Sequence, residues 1–272
     1  GDGLHPRRLS SIYAGEVVAD AINVSEFTGG TSITTDAPPT SSPTPTPAPT
    51  TPSVPSAPAP VVPPPVVTPT VSSESTPTVV ALGRYDIGQP VLRDIWVDPV
   101  NGRDGNTGAS RGAALQTLAA AVRLIPKGQT LTGTGYRIML TRGEYGENSM
   151  PNYWEDYLGT AQFPIILQAA DGRGTAIMRK DINSKNLRYF YLIDLNFERP
   201  EDLLHFELGD HILLRGLTLR ATAAHETLKV NQSKYLYIED SDISGADDNA
   251  IDFVAVQYGH VVGNKIHGAN DW

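Results

Sequence analysis

The sequence predicts an all-β fold, a parallel β-solenoid over Ala81–Trp272, and three observations predict it. Two apolar strand registers recur with one common period, a short helical pattern stands upstream of them, and a proline-rich tether separates both from the N-terminus. Short strands that repeat in phase stack as coils, each pairing only with its neighbours.

The first register aligns Leu192-Ile193-Asp194-Leu195-Asn196-Phe197, Leu214-Arg215-Gly216-Leu217-Thr218-Leu219, Ile238-Glu239-Asp240-Ser241-Asp242-Ile243 and Val261-Val262-Gly263-Asn264-Lys265-Ile266. Their last residues are spaced by 22, 24 and 23. Each segment reads as an apolar residue, a two-residue corner and an inward–outward–inward triplet with the period of a strand. The second register aligns Leu204-His205-Phe206, Leu228-Lys229-Val230 and Ile251-Asp252-Phe253 at spacings of 24 and 23, again apolar–polar–apolar. Leu195, Leu217, Ser241 and Asn264 are expected to form one inward column, with the Ser and Asn satisfying backbone groups of the adjacent coil. Gly245 and Gly268 follow the triplets as turn residues.

Upstream, Leu115, Leu118, Ala119 and Val122 fall at i, i+3, i+4 and i+7. They predict an amphipathic helix near Leu115–Leu124, ended by Pro126 and Gly128, that caps the N-terminal cross-section of the solenoid. Ile95-Trp96-Val97-Asp98 and Tyr136-Arg137-Ile138-Met139-Leu140 flank it as strands, the latter followed by a turn at Arg142-Gly143-Glu144-Tyr145. Tyr153, Trp154, Tyr157 and Phe163 read as a long connection packed onto the first coils.

Of 22 prolines, 15 lie between Ala37 and Val80, a window whose one charged residue is Glu74. This composition predicts a disordered, extended linker over 37–80, after a leader over 1–36 that is a remnant of a preceding module or a partly ordered arm. Val17, Val18, Ala21 and Ile22 have helical spacing within that leader. The absence of cysteine excludes disulfides, thiol nucleophiles and Cys-ligated zinc. No apolar run is long enough for a membrane span. A formal net charge of −9 without a basic stripe excludes nucleic acid as a partner. The chain is read as a monomer at the cell surface or outside the cell, on the association of Thr/Pro tethers with exported modules.

The succession Trp96-Val97-Asp98-Pro99, Asn101-Gly102, Asp104-Gly105-Asn106, Gly108, the helical Leu115 and Leu118, then Ile138-Met139-Leu140 and Gly143-Glu144-Tyr145 resembles the opening module of the pectate-lyase-like superfamily. Glu239–Gly245 and Val262–Gly268 are similar to that superfamily's generic coil repeat. The resemblance covers about Asp94 to Trp272 and implies a right-handed parallel β-helix. Its implication for activity is broader, because the superfamily holds lyases, hydrolases, epimerases and non-catalytic surface proteins.

Two constellations could carry chemistry. Asp247, Asp248, Asn249 and Asp252 form an acidic loop whose oxygens suit calcium. Asp248-Asn249-Ala250-Ile251-Asp252 resembles the calcium motif of the family nine polysaccharide lyases, with Asn249 and Ala250 departing from it. The alternative is a solvated acidic turn held by Asx hydrogen bonds. The second constellation is the outward column His205, Lys229, Asp252, with Glu207 and Asn231 beside it, a polar track for an extended acidic or neutral sugar chain. Neighbouring strands lie about 4.8 Å apart, which puts Lys229 beside both His205 and Asp252. The resemblance implies β-elimination, in which a Lys or Arg removes the proton alpha to a uronate carboxyl that calcium neutralises. Lys229 is a candidate base; the resemblance to the calcium lyases implies a base on a later coil than the calcium motif, and the solenoid, whose last coil stops after its first strand, is expected to continue beyond Trp272. A surface ion pair of Lys229 with Asp252 is the structural alternative. The leading expectation is a calcium-assisted polysaccharide lyase. A non-catalytic surface or adhesion solenoid that binds glycan or protein is the alternative, and a polygalacturonase-like hydrolase built on paired acids such as Asp247 and Asp248 is the third.

Overall fold

Alternating inward apolar and outward polar residues, broken every few positions by a corner, wind the chain into three parallel sheets around one core. The computed structural model describes the backbone strand Val17–Ala19 and residues 83–270. Sheet A carries Leu92–Val97, Gly135–Leu140, Ile165–Ala169, Arg188–Ile193, Asp210–Arg215, Lys234–Glu239 and Gln257–Val262. Sheet B carries Gly143–Tyr145, Ala176–Met178, Asn196–Arg199, Thr218–Ala221, Asp242–Ala246 and Lys265–Ala269. Sheet C carries Trp154–Glu155, Ile182–Lys185, Leu204–Glu207, Glu226–Asn231 and Asn249–Val254. The fold is a right-handed parallel β-helix.

Both predicted registers are realised. Leu192, Leu214, Ile238 and Val261 pair in succession on sheet A. Phe197, Leu219, Ile243 and Ile266 do so on sheet B. His205, Lys229 and Asp252 pair on sheet C. The predicted inward column is buried, and its polar members bond as expected. Ser241 Oγ accepts from the Leu217 N–H at 3.0 Å and donates to the Glu239 carbonyl at 2.9 Å. Asn264 Oδ1 accepts from the Ser241 N–H at 2.8 Å, and its Nδ2 donates to the Ile238 carbonyl at 2.7 Å. Gly245, at φ +71°, could not carry a side chain, because a Cβ there would lie 2.0 Å from the Ala221 carbonyl oxygen.

Three expectations about local structure are corrected. The helix is shorter than predicted, Leu118–Val122, with Thr117 as its N-cap accepting from the Ala120 N–H. Leu115 instead bonds with Trp96 and Asp98 as an extended bridge beside the first strand, because that strand's outer edge needs partners. The helix still packs on Leu92–Val97 and buries Leu118, Ala120, Ala121 and Val122 in the common core. Gly143–Tyr145 is a strand rather than a turn, since the buried Tyr145 hydroxyl donates to the carbonyls of Val97 and Thr141. Val17–Ala19 is a strand, paired in parallel with Gly259–Val261, where helical spacing suggested a helix. The remainder of the leader and the linker at 37–80 lie outside the described residues. The aromatic connection does pack inward, with Trp154 buried edge-on against Phe190 at 5.7 Å.

One segment joins the coils from outside. Residues 83–91 cross the outer face of sheet A, over the buried Ile166, Tyr191 and Leu213. Arg84 grips Asp240 at 2.7 and 2.9 Å, and the Tyr85 N–H donates to Glu239 Oε1 at 2.7 Å. The Tyr85 ring packs 4.3 Å from that of Tyr237. Glu239 is buried, and Arg215 also donates to it at 2.7 Å, so its charge is compensated from two directions.

Candidate functional site

The outer face of sheet C is built by strand alternation. Leu204, Phe206, Leu228 and Val230 point into the core, which turns His205, Glu207, Lys229 and Asn231 outward. Register then stacks Asn183, His205, Lys229 and Asp252 in one outward row. Lys185, Glu207 and Asn231 form the next, with Glu155 paired to Lys185 below. A cavity of about 120 Å³ opens beside the row, between Asp181, Asn183, Asp202, His205 and Lys229.

Most of these groups are engaged with one another. Lys229 Nζ lies 3.0 Å from Asp252 Oδ2 and 2.8 Å from Glu226 Oε1. It does not bond to His205, whose Nε2 instead lies 3.1 Å from Asn231 Nδ2. The Asn231 Oδ1 is buried with no partner among the described residues. Glu207 pairs with Lys185 at 3.1 Å. Partial burial alone would lower the Lys229 pKa, but hydrogen bonds and charge from Glu226 and Asp252 outweigh it and hold the ammonium above the ordinary lysine value. A general base needs the opposite shift.

Glu226 escaped the sequence reading. It sits three residues before Lys229, a separation that puts two side chains on opposite faces of a regular strand. Here Thr227 and Leu228 are both buried, so the alternation slips and Glu226 returns to the outer face. Two consecutive inward residues are visible only once the neighbouring coil sets the register.

The acidic loop does not assemble. Asp252 belongs to the Lys229 pair, Asp247 Oδ1 accepts a long 3.4 Å bond from Asn270, and the Asn249 N–H donates to the His225 carbonyl. Among the described residues no group of three or more His, Asp or Glu side chains is placed to hold a metal ion. Calcium needs several converging oxygens, and this arrangement of Asp247, Asp248, Asn249 and Asp252 does not fit it.

No family profile matches the chain, and no curated protein matches it. Among solved structures it is similar to pectate lyase Pel9A, at 18% identity over 67% of this chain and 48% of that one, with a TM-score of 0.42. It is also similar to a rhamnogalacturonan lyase, at 12% identity over 61% of this chain and 62% of that one, with a TM-score of 0.33. The chain thus spans about half the length of the pectate lyase. The described residues themselves establish the architecture, a parallel β-helix of three sheets around one core.

Proposed function

We propose that this β-helix recognises carbohydrate on the outer face of sheet C and holds the glycan without cleaving it. The observation that carries the reading is the outward row Asn183, His205, Lys229, Asp252, in unbroken register beside a cavity. Polar groups repeated at the strand spacing match the repeated hydroxyls of an extended sugar chain. Charge selects the kind of chain. The face and its edge present Lys127, Lys185 and Lys229 against Glu155, Glu207, Glu226 and Asp252, a slight negative balance that favours a neutral glycan over a polyanion. The expected acidic substrate is replaced here for that reason. Against catalysis stands Lys229, which two carboxylates keep protonated. No step of this reading runs through calcium. Display as a monomer at the cell surface on the Thr/Pro tether belongs to the same proposal and is supported by composition.

Affinity electrophoresis against neutral and acidic polysaccharides tests it. A neutral polysaccharide should retard the protein, His205→Ala should weaken the retardation, and acidic chains should gain nothing from sheet C. Accumulation of unsaturated uronide product, abolished by Lys229→Ala, would overturn the non-catalytic reading and restore β-elimination.

A further inference from the structure

The corner between sheets C and A carries an open cleft of about 380 Å³, lined in part by Asn186, Arg188, Leu208, Gln232, Lys234 and Gln257. It is distinct from the cavity on sheet C, with which it shares no residue. Two columns of left-handed backbone build it. Asn186, Leu208, Gln232 and Ala255 have φ of 52°, 55°, 48° and 56°, and three residues later Tyr189, His211, Tyr235 and Tyr258 have φ of 45°, 58°, 54° and 55°. A side chain beyond Gly, Asn or Asp in this conformation is uncommon and strained, and such strain concentrates at functional positions.

The inner column explains itself. Its rings stack at 4.2, 4.4 and 4.8 Å, and this ladder offsets the backbone cost. The outer column has no such return. Leu208 is 42% exposed, and the Gln232 and Ala255 side chains are exposed too, so packing does not explain why glycine is absent there. Exposed Val254 and Tyr258 join Leu208, which places three of the seven exposed large hydrophobics among the described residues at this corner. Beside them stand polar groups with no ion pair or side-chain hydrogen bond among the described residues, namely the Arg188 guanidinium and the amides of Gln232 and Gln257. Lys234 is held at 3.3 Å by Asp210, and Asn186 by Asp156, so Arg188 is the uncommitted cation of the cleft.

We propose that this corner is a second saccharide site, taking an oligosaccharide that lies along the solenoid axis and bears a carboxylate. Leu208 offers apolar surface to the C–H faces of the sugar rings. Gln232 and Gln257 meet hydroxyls on successive coils, and Arg188 receives the carboxylate through its planar fork. The site goes beyond the glycan face of sheet C and differs from it in charge preference, so either reading can fail without the other.

Calorimetric titration of the full chain with a galacturonate tetramer and a neutral galactose tetramer tests the proposal. The galacturonate tetramer should bind, and Arg188→Ala should weaken it about tenfold, the scale of one charge-assisted hydrogen bond. Gln232→Gly should weaken it as well while leaving the melting temperature unchanged or higher, because glycine relieves the left-handed strain. His205→Ala on sheet C should not alter it. Equal binding of the neutral tetramer, binding indifferent to both corner variants, or no heat at millimolar tetramer would overturn the proposal.

Discussion

The two corners that flank sheet A solve one geometric problem with opposite residues. Both bend the chain through a left-handed residue in every regular coil, and both place a buried serine inside the bend. Ser241 at the A–B corner accepts from the Leu217 N–H at 3.0 Å, and Ser233 at the C–A corner accepts from the Gly209 N–H at 2.9 Å. The left-handed positions then diverge. At the A–B corner they are Asp194, Gly216, Asp240 and Gly263, residues that tolerate this backbone cheaply. At the C–A corner they are mostly large, including Leu208, Gln232 and the four stacked rings. One corner is built for economy of backbone, and the segment at 83–91 docks on it through Arg84 and Asp240. The other accepts strain of about 1–2 kcal/mol per residue and gains a lined cleft.

The largest effect that would break this comparison lies inside the A–B corner. Asn264→Ala should cost about 3 kcal/mol in denaturant unfolding, since it orphans the buried Ser241 N–H and Ile238 carbonyl. A loss below about 1 kcal/mol would mean that these backbone groups find other partners.

A pair of reciprocal substitutions sharpens the contrast. Gly216→Ala should cost about 2 kcal/mol, because φ is +67° and the new Cβ would approach Asp194 Oδ1 to 2.3 Å. Leu208→Gly, at the matching kind of position, should be neutral or stabilise by about 1 kcal/mol, strain relief exceeding the entropy that glycine adds to the unfolded chain. Equal losses for the two would show that Leu208 is packed for stability and would remove the contrast.

The smallest effect concerns acid. Hydrogen bonds from Arg84 lower the Asp240 pKa below the ordinary aspartate value, so the ionised carboxylate favours the folded state. That contribution is complete above the ordinary value and disappears as pH falls through the lowered one. Both side chains are more than two-fifths exposed, so the contribution is small. Amide exchange at Tyr85 should quicken across that acid window, and Arg84→Ala should remove the pH dependence. An unchanged profile in the variant would place the titration elsewhere.

Within the residues described, much of the architecture was legible. The 22, 24 and 23 spacings fixed which strands pair, because a solenoid repeats its inward residues once per coil and apolar burial tolerates no slip. Asn264 and Ser241 could be read as corner ligands because a polar residue in an apolar column must find a backbone partner. The helix boundaries were misread because Leu115 carries an apolar side chain that serves a helix face and a strand edge equally well. The geometry of the acidic loop was not legible, since four acidic or amide residues close in sequence need not converge in space.

By itself, the amino-acid order determined the period, the inward and outward faces and the outward row on sheet C, all of which follow from local alternation repeated in phase. Only the tertiary structure decided that Lys229 is locked between Glu226 and Asp252, that residues 83–91 clasp sheet A, and that Arg188, Leu208, Gln232 and Gln257 share one cleft. These depend on ion pairing across coils and on the sign of a backbone torsion at residues that give no glycine signal. Neither is encoded in any single coil; both arise when neighbouring coils stack.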